Sequence, residues 1–79
     1  MRAEDWSHEN IELEGWPILI VSFRLGDNYV VQAESTSSGV TIARATATTR
    51  FKAYRQAIDS ATRRLARTRI VDLSLTVGG

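Results

Sequence analysis

The segment from Thr49 to Arg69 constrains the fold most, because it has the pattern of one long amphipathic helix. It contains no glycine or proline, and its larger apolar residues recur at spacings of three and four, which puts them on one narrow helix face. They are Phe51, Tyr54, Ile58, Ala61 and Leu65, flanked by Ala53 and Ala57. We therefore expect a helix over 49–69, capped at Thr48 or Thr49, with this stripe packed against a sheet.

The residues around this helix alternate between apolar and polar side chains, as β-strands do. The alternation predicts three antiparallel strands, over 17–25, 29–35 and 40–48, and a fourth strand over 70–77 after the helix. The alternation at 11–14 also suggests a short strand that ends at Gly15, although only two of its residues are apolar. The expected fold is a two-layer α+β domain in the order β-β-β-α-β over residues 11–79, with the helix on one sheet face and residues 1–10 as a flexible arm.

The turn after the first predicted strand decides which sheet face the helix covers. Read as a three-residue loop, Gly26-Asp27-Asn28 sets Phe23 opposite Val31 and leaves Leu19, Val21, Phe23 and Leu25 under the helix. A two-residue loop would set Phe23 opposite Gln32, and a shift of one residue inverts the two faces. We expect the longer loop. Ile18 and Ile20 then lie on the opposite face, where they are candidates for contact with a partner protein.

The strand over 40–48 offers two faces that differ in size. One face carries alanines at 43, 45 and 47, and the other carries larger or more polar residues. Small side chains let a helix approach a sheet closely, so we expect the alanines to face inward. A four-residue preceding loop would reverse this assignment.

The composition argues against most catalytic and metal chemistry. The chain of 79 residues has no cysteine and one histidine, His8, so a Cys- or His-based nucleophilic site lacks its parts. The carboxylates near His8 match no known ligand spacing, and the isolated glycines at 26 and 39 do not form a phosphate-binding loop. We expect no enzyme activity, no cofactor, no metal and no small-molecule ligand.

The charge is unevenly distributed along the chain although the net charge is only +1. Residues 1–43 have seven acidic and two basic side chains, whereas residues 44–79 have eight basic and two acidic ones. Such asymmetry is typical of a polyanion-binding face, of two attracting halves of one fold, or of a contact between copies. The candidate contacts to nucleic acid or another anion are the cations of the helix: Arg50, Lys52, Arg55, Arg63, Arg64 and Arg67.

The sequence thus leaves two binding hypotheses. The favoured one is a protein-interaction module, either a homodimer or part of a larger assembly, because the core is small and the predicted sheet has an open face. The alternative is nucleic-acid binding through the basic helix face. Because no apolar run approaches the roughly 20 residues needed to cross a bilayer, and the first residues lack a signal-peptide pattern, we expect a cytoplasmic protein without membrane contact.

Overall fold

The computed structural model describes the backbone of residues 2–78 and the side chains of residues 2–67. The chain forms a four-stranded antiparallel meander, in the spatial order β1-β2-β3-β4, followed by one helix packed on the sheet. The elements are β1 (Ala3–Leu13), β2 (Trp16–Leu25), β3 (Asn28–Ser35), β4 (Thr41–Ala47) and α1 (Arg50–Gly78). The two-layer α+β architecture is confirmed, but the order is β-β-β-β-α rather than β-β-β-α-β.

The prediction was wrong at both ends of the chain. Most of the expected arm over residues 1–10 belongs to β1, an edge strand that pairs with β2. One extra residue in β1 forms a bulge between Glu4 and Ser7, with Asp5 at a φ of +55°. The strand expected over 70–77 is instead the continuation of α1. No glycine or proline ends the helix before Gly78, so its backbone runs on.

Turn chemistry, rather than apolar matching, sets the register of the sheet. The β2–β3 connection is the two-residue turn Gly26-Asp27, and Gly26 has a φ of +64°, as a type II′ hairpin requires at its first central position. The three-residue loop that we expected is therefore wrong. The two-residue turn pairs Phe23 with Val30, so both the pairing with Val31 and the pairing with Gln32 that we expected for a two-residue loop are wrong. Each residue of β2 consequently lies on the face opposite to the one predicted.

The main core lies between α1 and the sheet and is built around small residues. It contains Ile18 and Ile20 from β2, side chains from β3 and β4, and a buried row on α1. The row consists of Ala53, Ala57, Ala61 and Leu65. The expected inward orientation of the β4 alanines is confirmed, because Ala43 is buried and Ala45 and Ala47 pack on this core. Small side chains on both layers allow the helix to lie close to the sheet.

The start of α1 has the predicted cap. The backbone N–H of Lys52 donates to Thr49 Oγ1 at 3.2 Å, and the N–H of Ala53 donates to the carbonyl oxygen of Thr49 at 3.1 Å. The Thr49 side chain thus satisfies one of the N–H groups that a helix leaves free at its N-terminus. Of the two threonines considered, Thr49 is the N-cap.

The molecule is elongated, with principal extents of 49 × 19 × 19 Å. Its radius of gyration is 14.2 Å, whereas a compact domain of this length is expected to have about 11.6 Å.

Candidate interaction groove

A shallow groove runs along the side of α1 that faces β1. Its volume is about 280 Å³, and it is lined by Tyr54, Arg55, Ile58, Asp59 and Thr62. The Tyr54 hydroxyl donates to Glu9 Oε1 of β1 at 3.3 Å, so this side of α1 faces β1. Along β1 the same face continues from Glu9 to Ile11 and Leu13, which are half-buried at the margin of the main core. The groove is small for a ligand pocket, since such pockets typically hold about 300–1,000 Å³.

Phe51 lies at the N-terminal end of this groove and is largely exposed. The residue has 69% of its surface accessible, and the guanidinium carbon of Arg55 lies 5.7 Å from the centre of the Phe51 ring. The prediction that Phe51 is buried in the core is therefore wrong. Phe51, Arg55, Ile58 and Thr62 follow at spacings of four, three and four, so they form one ridge of the helix. We call Phe51 and the five groove-lining residues the groove face.

The width of the apolar arc on α1 was a sequence signal for this groove. At 100° per residue, the arc from Ala53 to Phe51 spans about 160°, which is wider than the apolar stripe of roughly 100° that core contact requires. The alanines occupy the half that contacts the sheet. Tyr54 and Ile58 lie at the border and are half-buried, and Phe51 lies beyond it.

Tyr54 remains a neutral hydrogen-bond donor in this groove. Burial raises its pKa, and the adjacent negative charge of Glu9 and the hydrogen bond to that carboxylate raise the pKa further. Each of these effects disfavours the charged phenolate. Tyr54 therefore ties α1 to β1 and does not supply a titrating group near neutral pH.

Most of the six predicted cations contact the protein itself. The side chain of Arg50 donates to the backbone oxygen of Asp5 at 2.7 Å and lies 5.2 Å above the Tyr29 ring. The Arg64 guanidinium donates to the carbonyl oxygen of Ile42 in β4 at 2.6 Å. These two side chains thus extend toward the sheet, in different directions.

The remaining four cations divide between the groove face and the outer side of α1. Arg55 stacks on Phe51, and Arg63 forms an exposed ion pair with Asp59 one turn earlier. Lys52 and Arg67 are exposed. The candidate cations are therefore spread along more than four helical turns, and four of the six are engaged with neighbouring residues.

Ile18 and Ile20 are not available to a partner. They are 0% and 3% exposed, because α1 covers the face of β2 on which they lie. The assignment of these residues as candidate partner contacts is wrong for the same reason as the register: the turn places them on the covered face.

The opposite sheet face carries a smaller apolar cluster. Val21, Phe23 and Val30 are buried there, although α1 does not cover this side. Trp6 stacks on Phe23 with ring centroids 4.4 Å apart and is itself 56% exposed. The bulge in β1 sets Trp6 beside Phe23, so a residue expected in a loose arm closes this cluster.

Known proteins and the grouping of side chains give no further indication of what the groove binds. Comparisons with protein-family models, curated proteins and solved structures find no match. Among the residues that the structure describes, no three His, Cys, Asp or Glu side chains are grouped so that they could hold a metal ion. Within the same residues, α1 contains no window long and apolar enough to cross a membrane.

Proposed function

We propose that this protein is a non-enzymatic interaction module that associates with itself. The observation that carries this proposal is the groove face, where Phe51 is 69% exposed beside half-buried Tyr54 and Ile58. A large aromatic side chain in water costs free energy that a contact surface recovers, and aromatic residues are enriched at the centres of protein interfaces. The mixed apolar and charged lining suits a protein surface better than a small ligand.

The length of the chain supports the same proposal. A chain of 79 residues has a small core, for which association is a common source of added stability.

Nucleic-acid binding through α1 is the weaker proposal. Phosphate recognition needs several cations that reach one backbone together, but Arg50 and Arg64 extend toward the sheet and Arg63 is paired with Asp59. We expect no binding of a 20-base-pair DNA or RNA duplex in a fluorescence-anisotropy titration at low salt. Binding that weakens steeply with salt, and that Arg67→Ala reduces, would favour nucleic acid instead.

Sedimentation velocity over a wide concentration range tests self-association directly. We expect a reversible shift from the 8.8 kDa monomer to a species of twice that mass as the concentration rises. A single monomeric species at every concentration, up to the millimolar range, would refute the proposal.

A further inference from the structure

We infer that self-association joins the groove faces of two copies, with their α1 helices antiparallel about a two-fold axis. This inference rests on the proposed function and adds the surface, the partner and the arrangement. Cyclic two-fold dimers are the most frequent homo-oligomers, and such an interface must be complementary to itself. The groove face meets that requirement through the charges that it carries.

Arg55 and Asp59 are the two charged residues that line the groove. They have opposite signs and lie two residues before and two residues after position 57. An antiparallel pair of helices that cross at this level therefore sets Arg55 of each copy against Asp59 of the other. The contact gains two reciprocal ion pairs. The apolar groove-face residues of both copies lie along one side of these pairs; they are Phe51, Tyr54 and Ile58.

Asp59 is free to exchange its partner. Its present ion pair is with Arg63 of the same helix, and the two side chains are 66% and 73% exposed. An exposed pair of this kind is held only weakly in water. Asp59 can therefore pair with Arg55 of the second copy without losing a strong contact, and the attraction between these two charges increases as the interface excludes water around them.

Charge complementarity also favours a second copy over a partner of another kind. An acidic partner would leave Asp59 facing like charge, and a basic partner would do the same to Arg55. A second copy satisfies both residues with one arrangement. Addition of a strand to the edge of β1 is disfavoured, since the bulge at Asp5 and the carboxylates Glu4 and Glu9 interrupt that edge.

A first set of variants compares the three large apolar residues that are exposed among the side chains that the structure describes. We would measure the dimer dissociation constant by sedimentation for Phe51→Ser, Val40→Ser and Trp6→Ser, whose wild-type residues are 69%, 59% and 56% exposed. Loss of a large interface aromatic typically weakens association by about 10- to 30-fold, so we expect this effect for Phe51→Ser. Val40→Ser, in the β3–β4 connection, and Trp6→Ser, on the other sheet face, should leave the constant within about threefold of wild type.

A charge exchange tests the antiparallel arrangement itself. Because a two-fold dimer contains each substitution in both copies, Arg55→Asp or Asp59→Arg places two pairs of like charges in the interface. Each single variant should raise the dimer dissociation constant at least about tenfold. The double variant Arg55→Asp/Asp59→Arg restores both pairs with reversed signs and should recover the wild-type constant within about threefold. Arg67→Asp is the matched control, because it makes the same charge change at an exposed position of α1 that does not line the groove, and it should leave the constant within about threefold of wild type. Circular dichroism of each variant should show the helix and sheet signal of the wild type, which excludes unfolding as the cause of a weaker dimer.

The outcomes distinguish this inference from the proposed function. A monomeric wild-type protein would refute both. A dimer that Phe51→Ser leaves intact, or that only Trp6→Ser weakens, would retain self-association and refute the groove face. Failure of the double variant to recover what the single variants lose would refute the antiparallel pairing.

Discussion

Replacing Ala57 with leucine tests whether α1 rests on the sheet through its row of alanines. Ala57 is 0% exposed, and the core that it enters also contains Ala33 of β3 and Ala43 of β4. Because protein cores are close-packed, the larger side chain of a leucine at this buried position is expected to push the helix away from the sheet. Overpacking of this kind typically costs about 1–3 kcal/mol.

The expected loss is a large part of the total stability. At about 0.05–0.15 kcal/mol per residue, a chain of 79 residues has a free energy of unfolding of roughly 4–12 kcal/mol. For a domain of this size each kilocalorie shifts Tm by about 4–8 °C. A destabilisation of about 2 kcal/mol, the middle of the expected range, thus lowers Tm by roughly 8–16 °C.

Urea unfolding followed by circular dichroism measures this effect, at one fixed protein concentration because association adds to apparent stability. Gln56→Leu is the matched control, since it introduces the same side chain at the adjacent, exposed position. We expect the control to change the free energy of unfolding by less than about 0.5 kcal/mol. Equal stability of Ala57→Leu and Gln56→Leu would show that the alanine row is not the contact with the sheet.

Three further changes test individual contacts. Thr49→Ala removes the N-cap of α1 and should lower the free energy of unfolding by about 1 kcal/mol in the same urea assay, whereas Thr49→Ser should retain most of it. Arg64→Met removes the donor to the Ile42 carbonyl and should cost about 0.5–1.5 kcal/mol, with faster amide hydrogen exchange along β4. The pKa of Tyr54 is raised in the folded state, so the neutral phenol contributes to the free energy of unfolding. This contribution is complete below the unfolded pKa near 10 and is lost as the pH rises through the folded pKa. Tyr54→Phe should therefore reduce the loss of stability measured between about pH 9 and 12.

The helix, its cap and the alanine face of β4 could be predicted because local patterns specify them. Thr49 precedes an apolar repeat without glycine or proline, and the alternation of small and larger residues in β4 leaves one side suited to close helix packing. Each of these features depends on residues within a few positions of one another. The structure confirms all three, together with the two-layer arrangement that they imply.

The sheet register could not be predicted from apolar matching, because β2 is apolar on both faces. Val30 and Val31 are adjacent, so Phe23 meets a valine in either register. The hydrophobic pattern therefore does not discriminate between the two loops, and the positive φ of Gly26 decides for the shorter one. The glycine at the first position of the turn, rather than the apolar pattern of the strand, specifies which face of β2 packs against the helix.

The strand at the start of the chain and the helix at its end could not be predicted because the periodicity there is disrupted or ambiguous. The bulge in β1 shifts the alternation by one residue between Glu4 and Ser7, and most of its side chains are exposed, so the period-two signal is lost. Residues 70–77 alternate, but the apolar positions 70, 73 and 77 also fit a helical period. In the absence of a stop signal, the continuous helix that precedes them decides their backbone conformation.

Phe51 belongs to the apolar stripe that predicted the helix, but it is exposed, and this exposure is the basis of the proposed function. The stripe pattern identified residues that avoid water, but it contained no information on which surface would cover each of them. The sheet covers the alanine half of the apolar arc, and the groove face continues beyond the sheet contact. Phe51 is exposed next to half-buried Tyr54 and Ile58, and it is this continuity of apolar side chains, rather than one exposed residue, that supports the proposed contact surface. The reciprocal charges at Arg55 and Asp59 favour another copy of this chain as the surface that completes the stripe.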